Sequence, residues 1–419
     1  MNSTEIFSIA LGLNRPWFVS NVEFVEVNSN KKELHIYLDF ERGFRFNTNT
    51  GESVAAYDTE NKRWQHLNFF EHRCYLYARV PRIKNKDGNI NIVKVPWSRP
   101  GSGFTLMFEA YAMLLIESEM PVSKVSDCVG VTAPRVWRVF DYWIERAYSK
   151  DDLSEVRRIG LDETSRKKGH SYITQFVDMD ARRTIFVTEG RDSSTIESFV
   201  SELEIKGGKK ENIELISMDM SAAFVSGAMT YLPDSQIVFD KFHLVQSLNK
   251  ALDEVRKAER KGNELLKGHR YTILRKYDNL SAAKKSELDM LLPLYPTLGE
   301  TYRLRELFMD VFDVEDTEEA KGYLWFWCQK ALEAGIQPIT KFVNTVKAHW
   351  WGIVAYFDTK ITNGILEGIN SKIQLAKRRA RGYRNPKNFI NMIYFISGKL
   401  NFDYPPYSLY SLNILQFQI

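Results

Sequence analysis

The chain has 419 residues, 44% hydrophobic and 26% charged, with a formal net charge of +4. That length allows two to four domains and a sizeable core, which excludes wholesale disorder, and so small a net charge means that any nucleic-acid surface must come from local clustering of basic residues. Three cysteines, Cys74, Cys128 and Cys328, far apart and odd in number, exclude a disulfide framework and fit a reducing compartment; with no leader-like start and no apolar run of about 18 residues, a cytoplasmic location is expected and a membrane partner is not.

In chain order, residues 20–95 carry short β patterns, "VEFVEV", "ELHIYLDF", "CYLYARV" and "INIVKV", separated by turns such as "KNKDGN", so residues 1–95 read as a β-rich module. "PWSRPGSGF", Pro96–Phe104, has the Pro, Gly and Ser content of a linker. Residues 104–150 turn helical: "FTLMFEAYAMLLIESEM" gives a first helix, then a short and a longer helix meet at Gly130 and Val131. Thr132 is the expected N-cap of the longer helix, with Pro134 in its first turn. Such a pair is either a helix-turn-helix, with Thr132, Arg135 and Arg138 as candidate DNA readers, or an ordinary helical hairpin.

From Val156 the period changes. "VRRIGLD" is expected as a strand ending in Asp162, followed by strands "SYITQFVDMD" and "RTIFVTEG" joined at Ala181 and Arg182. Helix "SSTIESFVSEL", a strand "IELISMD" ending in Asp219, helix "SAAFVSGAMTYL" and a strand "SQIVFD" ending in Asp240 follow, which makes residues 155–245 the first part of a mixed-sheet α/β domain. Residues 246–350 read as an all-helical insertion. Residues 351–400 hold the last helix, and residues 401–419 a tail, "YPPYSLYSLNILQFQI" forming most of it.

That last helix, "NGILEGINSKIQLAKRRARGYR", contains one acid and a run of bases. At about 100° per residue, Ser371, Gln374, Arg378 and Arg381 lie within roughly 40° of Glu367, while Ile365, Ile369, Ile373, Ala376 and Ala380 form the apolar back. A helix stabilised by its own ion pairs would alternate signs, and this one does not. Bases without acidic partners suit phosphates, and a carboxylate beside phosphates suits a metal ion. Two strand-end acids, Asp162 and Asp219, with Glu367 from a helix would form an all-oxygen set for two divalent ions about 3.5–4 Å apart, favouring Mg²⁺ or Mn²⁺ over zinc. The competing reading is a solvated basic helix and strand-end Asp residues serving as turn-formers and caps.

The strings "VPWSRPGSGFT", "GLDETSRKKGHSYIT", "DMSAAF", "IVFDKFHLVQ" and "ITNGILEGINSKIQLAKRRARGYR", in this order, resemble the DDE transposases of bacterial insertion sequences, nearest the ISL-three (ISL3) group. The resemblance runs from about residue 15 to residue 400 and implies a zinc-ribbon-like N-terminal module, a helix-turn-helix and an RNase-H-like catalytic domain. It makes Asp162, Asp219 and Glu367 the catalytic, metal-binding acids. It gives Asp240 and His243 of "DKFH" an accessory place near the site, a helix-cap and core role being the alternative. Lys377, Arg378, Arg379 and Arg381 are expected to bind DNA backbone. Trp325, Trp327, Trp350 and Trp351 are candidates for stacking on a base or for helix packing. The group's ribbon would need cysteines where Asn47, Thr50 and Asn85 stand, with Cys74 the only match, so the module is expected to be degenerate and to hold no structural zinc. The implied function is binding of terminal repeats, phosphodiester hydrolysis and 3′-OH strand transfer into target DNA by a homodimer or larger synaptic complex in the bacterial cytoplasm, at the nucleoid. The alternatives are a non-catalytic regulator derived from a transposase and an RNase-H-like nuclease.

Overall fold

A computed structural model describes residues 2–28, 31–48, 51–167, 171–261, 264–361 and 364–405. They divide into two compact units, one of residues up to 149 with 401–405, the other of residues within 150–400.

In the first unit, α1 (Ser3–Ala10) opens with a reciprocal cap, Asn2 Oδ1 accepting from Glu5 N at 2.9 Å and Glu5 Oε2 from Asn2 N at 3.1 Å. Strands β1 (Trp17–Asn28), β2 (Lys31–Phe40), β5 (Asp58–Phe69), β6 (His72–Lys84) and β7 (Ile90–Ile92) form one sheet, ordered β1-β2-β6-β5 with β7 also on β6; β3 (Arg45–Asn47) and β4 (Ser53–Ala55) make a separate hairpin. β2 and β6 run parallel, and each buries every second side chain: Leu34, Ile36 and Leu38 on β2, Cys74, Leu76, Ala78 and Val80 on β6. Cys74 is thus a core residue, its thiol pushed up to about 12 by burial. Asn47 and Asn85 lie on the β3 end and after β6; Thr50 lies outside the described residues. α1 and β5 carry no expectation from the sequence, β5 because its twelve residues are mostly polar and only two of them are buried.

The segment expected as a linker is packed. Trp97 joins Trp17 and Trp64 in the core, at ring distances of 4.9 and 5.6 Å. Gly103 O accepts from Gln65 N at 2.9 Å, and Gln65 O from Thr105 N at 3.0 Å, so this stretch adds to the edge of β5. Thr105 caps α2 (Leu106–Glu117), accepting from Phe108 N, and lies 2.8 Å from His66 Nδ1. α3 (Val122–Val129) ends at Gly130, whose φ of +67° is the left-handed cap a glycine permits, and α4 (Ala133–Tyr148) follows. Glu109 of α2, fully buried, accepts from Arg99 Nε (2.9 Å), Ser102 Oγ (2.6 Å) and Trp143 Nε1 of α4 (2.9 Å). The returning chain at residues 401–405 adds a two-pronged Asp403–Arg146 ion pair and Tyr404 against Trp143.

The second unit is built on a five-stranded sheet of β8 (Arg158–Lys167), β9 (Ser171–Asp178), β10 (Arg183–Glu189), β11 (Leu215–Met218) and β12 (Gln236–Phe239), ordered β10-β9-β8-β11-β12. β8, β9 and β10 are an antiparallel meander; β11 and β12 run parallel to β8. The four residues of β11 are all buried, as a parallel strand covered on both faces requires. α5 (Ser194–Ile205) lies on one face, Phe199 stacking on Phe176 at 4.4 Å, and packs on α6 (Ala222–Tyr231). α14 (Gly364–Arg379) lies against β8 and α15 (Pro386–Ser397) against β10, where Tyr394 Oη accepts from Val187 N at 2.9 Å. Between β12 and α14 come α7 (Lys241–Arg260), α8 (Arg270–Leu274), α9 (Ala282–Leu291), α10 (Pro296–Asp310), α11 (Thr317–Glu333), α12 (Gln337–Ala348) and α13 (Trp350–Thr359). Trp327 is buried there and donates to Leu304 O at 2.7 Å, so it serves packing; Trp351 lies against Phe239 of β12, Trp350 is half-buried and Trp325 is exposed. No helix among the described residues is long and apolar enough to cross a membrane.

Candidate active site and nucleic-acid interface

Asp162 does not end its strand. β8 continues to Lys167 because it is also one arm of the hairpin with β9, where Asp162 pairs with Gln175 and Glu163 with Thr174. On its other side the ladder with β11 pairs Ser217 with Gly160, so Asp219, one residue past β11, falls level with Asp162. Met218 pairs with Phe239, which brings Asp240 level with Asp219. Three carboxylates therefore stand in a row across β8, β11 and β12, at the C-terminal edge of the two parallel strands, where an open α/β sheet binds its ligands. Asp219 Oδ1 accepts from Ser221 N at 2.9 Å in the turn into α6. Asp240 caps α7, accepting from Phe242 N at 2.9 Å, and lies 3.8 Å from His243 Nε2.

α14 runs along β8. A Cβ on Gly160 would stand 2.5 Å from Leu366 Cδ1, Asn370 donates to Asp162 Oδ2, and Gln374 Nε2 donates to Thr164 Oγ1 at 2.8 Å. Four helical residues rise about 6.0 Å and two strand residues about 6.6 Å, so positions 366, 370 and 374 keep step with 160, 162 and 164. Glu367 sits in this helix between Leu366 and Asn370 and is exposed. The three expected acids do not converge: among the described residues no three His, Cys, Asp or Glu side chains are close enough to share one ion.

Burial pushes the Asp162 carboxyl above its ordinary value, opposed by the bond from Glu163 N and the nearby His243, with Asp240 adding to the rise. Glu163 is likewise pushed up, by burial and then by the charge of Asp219, with Arg191 opposing. An edge with several carboxylates and little positive charge fits the chemistry of a hard, oxygen-preferring cation, and Asp162 and Asp219 are the acids that stand level on it. Arg191, Gln175 and Asn370 stand beside these acids and were passed over by the sequence reading. Two signals were available: Asn370 lies three residues after Glu367, one turn along the same helix, and Gln175 is a polar residue inside an apolar strand.

The basic residues divide. Arg378, Arg379 and Arg381 are exposed; Arg381, with φ +55°, lies beyond the helix end in the turn to Gly382. Lys377 is tied down, its Nζ donating to Ser165 O of β8. In the other unit Arg138 is exposed, while the guanidinium of Arg135 stacks on Phe104 at 4.2 Å and is half-buried. Thr132 occupies the N-cap of α4 and is exposed, but its side chain makes no cap bond. Arg73 of β6 donates to Gly130 O at 3.2 Å and so fixes the turn between α3 and α4 to the β-sheet.

Against known families, the model DDE_Tnp_ISL3, described as "Transposase", matches residues 159–393, and HTH_Tnp_ISL3, described as "Helix-turn-helix domain of transposase family ISL3", matches residues 93–144. The second match includes the packed Pro96–Phe104 stretch. The chain is 26% identical over 431 residues to the transposase for insertion sequence element IS1557 of Mycobacterium tuberculosis, covering 93% of this chain and 94% of that protein. It is 27% identical over 346 residues to the transposase for insertion sequence element IS1001 of Bordetella parapertussis, covering 80% of this chain and 84% of that protein.

Proposed function

This chain belongs to the transposase family ISL3, and we propose that it binds the terminal repeats of an insertion sequence, hydrolyses a phosphodiester at each end and joins the freed 3′-OH to target DNA. The observation that carries this reading is the row of carboxylates level across β8, β11 and β12, with the helix of Glu367 laid in step along β8. The meander-then-parallel sheet order supports an RNase-H-like catalytic domain, and the sheet of the first unit, holding Cys74 in its core, supports a zinc-ribbon-like module that stands without metal.

In the first step water attacks phosphorus, the bond to the 3′ oxygen breaks, and that oxygen leaves as the 3′-OH of the element. In the second the same hydroxyl attacks a target phosphate in line and the target's 3′ oxygen leaves. A pair of divalent cations, Mg²⁺ or Mn²⁺, would activate the attacking oxygen and stabilise the leaving one. Asp162, Asp219 and Glu367 would hold them, with Glu163 near Asp219. His243, 3.8 Å from Asp240, would contact DNA or the scissile phosphate. Arg378, Arg379 and Arg381 bind the backbone, while Lys377 fastens α14 to β8. Thr132 and Arg138 at the start of α4 read the major groove. Two ends must be joined in one event, so the working form is a dimer or larger synaptic complex, acting at the nucleoid.

The test pairs purified protein with end-labelled duplexes carrying the DNA that flanks its gene, in Mg²⁺, comparing wild type with Glu367→Gln. A nick at the element boundary by wild type alone, with equal binding by both, is the expected result. Specific binding without cleavage by wild type would replace this reading with a non-catalytic regulator; cleavage without strand transfer would replace it with a nuclease.

A further inference from the structure

Asp162 is held from two directions. Its Oδ1 accepts from Glu163 N at 2.7 Å, and its Oδ2 accepts from Asn370 Nδ2. Asn370 is held in turn: its Oδ1 accepts from Gln175 Nε2 at 2.6 Å. Gln175 is the cross-strand partner of Asp162 on β9, so strand, neighbouring strand and helix close a ring of three side chains. Gln175 is 1% exposed. Its Oε1 is buried without a hydrogen-bond partner among the described residues, so the bond from Nε2 to Asn370 is what offsets the desolvation of this amide. The ionised Asp162 carboxylate can only accept, so the Asn370 NH₂ points at it, and Asn370 Oδ1 is left to accept from the Gln175 NH₂. The second bond of α14 to β8, from Gln374 to Thr164, lies one helical turn further on and does not touch Asp162.

Resting on the metal-dependent reading above, we propose that Asn370, oriented by Gln175, is a positioning residue that sets the orientation of the Asp162 carboxylate for cation binding and locks α14, with Glu367 one turn away, to the first acid. Its side chain donates to the carboxylate and contributes no ligand of its own.

The test uses the full chain bound to an end duplex and reads Mn²⁺ binding directly, by the electron paramagnetic resonance of free Mn²⁺, alongside cleavage as a function of Mn²⁺ concentration. Removing a group that orients a metal-binding residue typically costs about 10–100-fold in metal affinity. Asn370→Ala is expected to weaken Mn²⁺ binding by that factor, with end binding in the absence of metal unchanged; Gln175→Ala shifts it in the same direction by less. Gln374→Ala removes the neighbouring helix–strand bond and leaves the affinity within about threefold. Equal losses in Asn370→Ala and Gln374→Ala would overturn the proposal, since fastening the helix alone would then explain both. An unchanged Mn²⁺ titration in Asn370→Ala, where Asp162→Asn abolishes binding, would overturn it while the metal reading stands. Unchanged Mn²⁺ binding in Asp162→Asn itself would overturn that reading, and the proposal with it.

Discussion

Gly160 is the point where α14 comes closest to the sheet, and Gly160→Ala is the perturbation that most directly tests the step-by-step match of helix to strand. The new Cβ would stand 2.5 Å from Leu366 Cδ1 and 2.7 Å from Met179 Sδ. Carbon atoms pack best at about 3.5–4.0 Å, so the overlap is about 1 Å or more. Leu366 is 1% exposed and Met179 7%, so neither can swing into open space. The strain is relieved by α14 lifting, at about 1–3 kcal/mol for one methyl group too many in a packed core. A lift of about 1 Å stretches the Gln374–Thr164 bond, now 2.8 Å, out of hydrogen-bond range and opens the Asn370–Asp162 contact. A displacement of that size in a catalytic constellation costs about 100-fold in rate. Calorimetry should show the melting temperature fall by about 2–4 °C per kcal/mol. End-labelled duplex cleavage should fall about 100-fold, while the share of gel-shift binding that rests on Thr132 and Arg138 of the other unit should persist. A variant that melts like wild type and cleaves within threefold of it would refute the packing argument.

Two further outcomes follow from the first unit. Burial pushes the His66 imidazole down to about 4, so it stays neutral in the fold while the unfolded chain takes up a proton near pH 6.5. The unfolded state binds more protons between those values; stability is therefore full above about pH 6.5 and falls as pH drops toward 4, by at most about 3 kcal/mol. Urea titrations of His66→Gln should lack that share of the acid loss, and a variant with the same pH profile as wild type would contradict it. Arg138→Ala should weaken end binding and reduce the salt dependence of log Kd by about one counterion, with no change in stability. Arg135→Ala, by contrast, should lower the melting temperature through the lost stacking on Phe104, which separates a DNA contact from a packing one in the same helix.

What could be read from the sequence was what local pattern governs. The strands of the meander, α5, α6, the Gly130 turn and the basic helix were legible because each has its own period or breaker. β5 was not: of its twelve residues only Trp64 and Gln65 are buried, and its place is set by pairing with β6. Pro96–Phe104 has the composition of a linker, but Trp97 and Phe104 are core residues, and two aromatic rings outweighed the Pro, Gly and Ser around them. Asp162 was expected at a strand end because the apolar run stops there. The strand continues through polar residues, since a hairpin partner, not hydrophobicity, sustains it. The acids were expected by position; the amides bonded to one of them were not, because the bonds among Asp162, Asn370 and Gln175 join residues 195 and 208 positions apart and leave only a faint local trace.

The return of the chain to the first unit has a topological consequence. Residues 150–400 leave that unit after α4 and come back to it at Asn401, where Asp403 and Tyr404 close on Arg146 and Trp143 of the same helix. The unit that the transposase model matches is thus an insertion in the unit that carries the helix-turn-helix match rather than a bead strung after it. A protease that nicks one joint leaves the two halves connected through the other. A short bridge from α4 to Asn401 would keep the ion pair and the ring contact while deleting everything between, giving an end-reading fragment that competes for the DNA without cutting it.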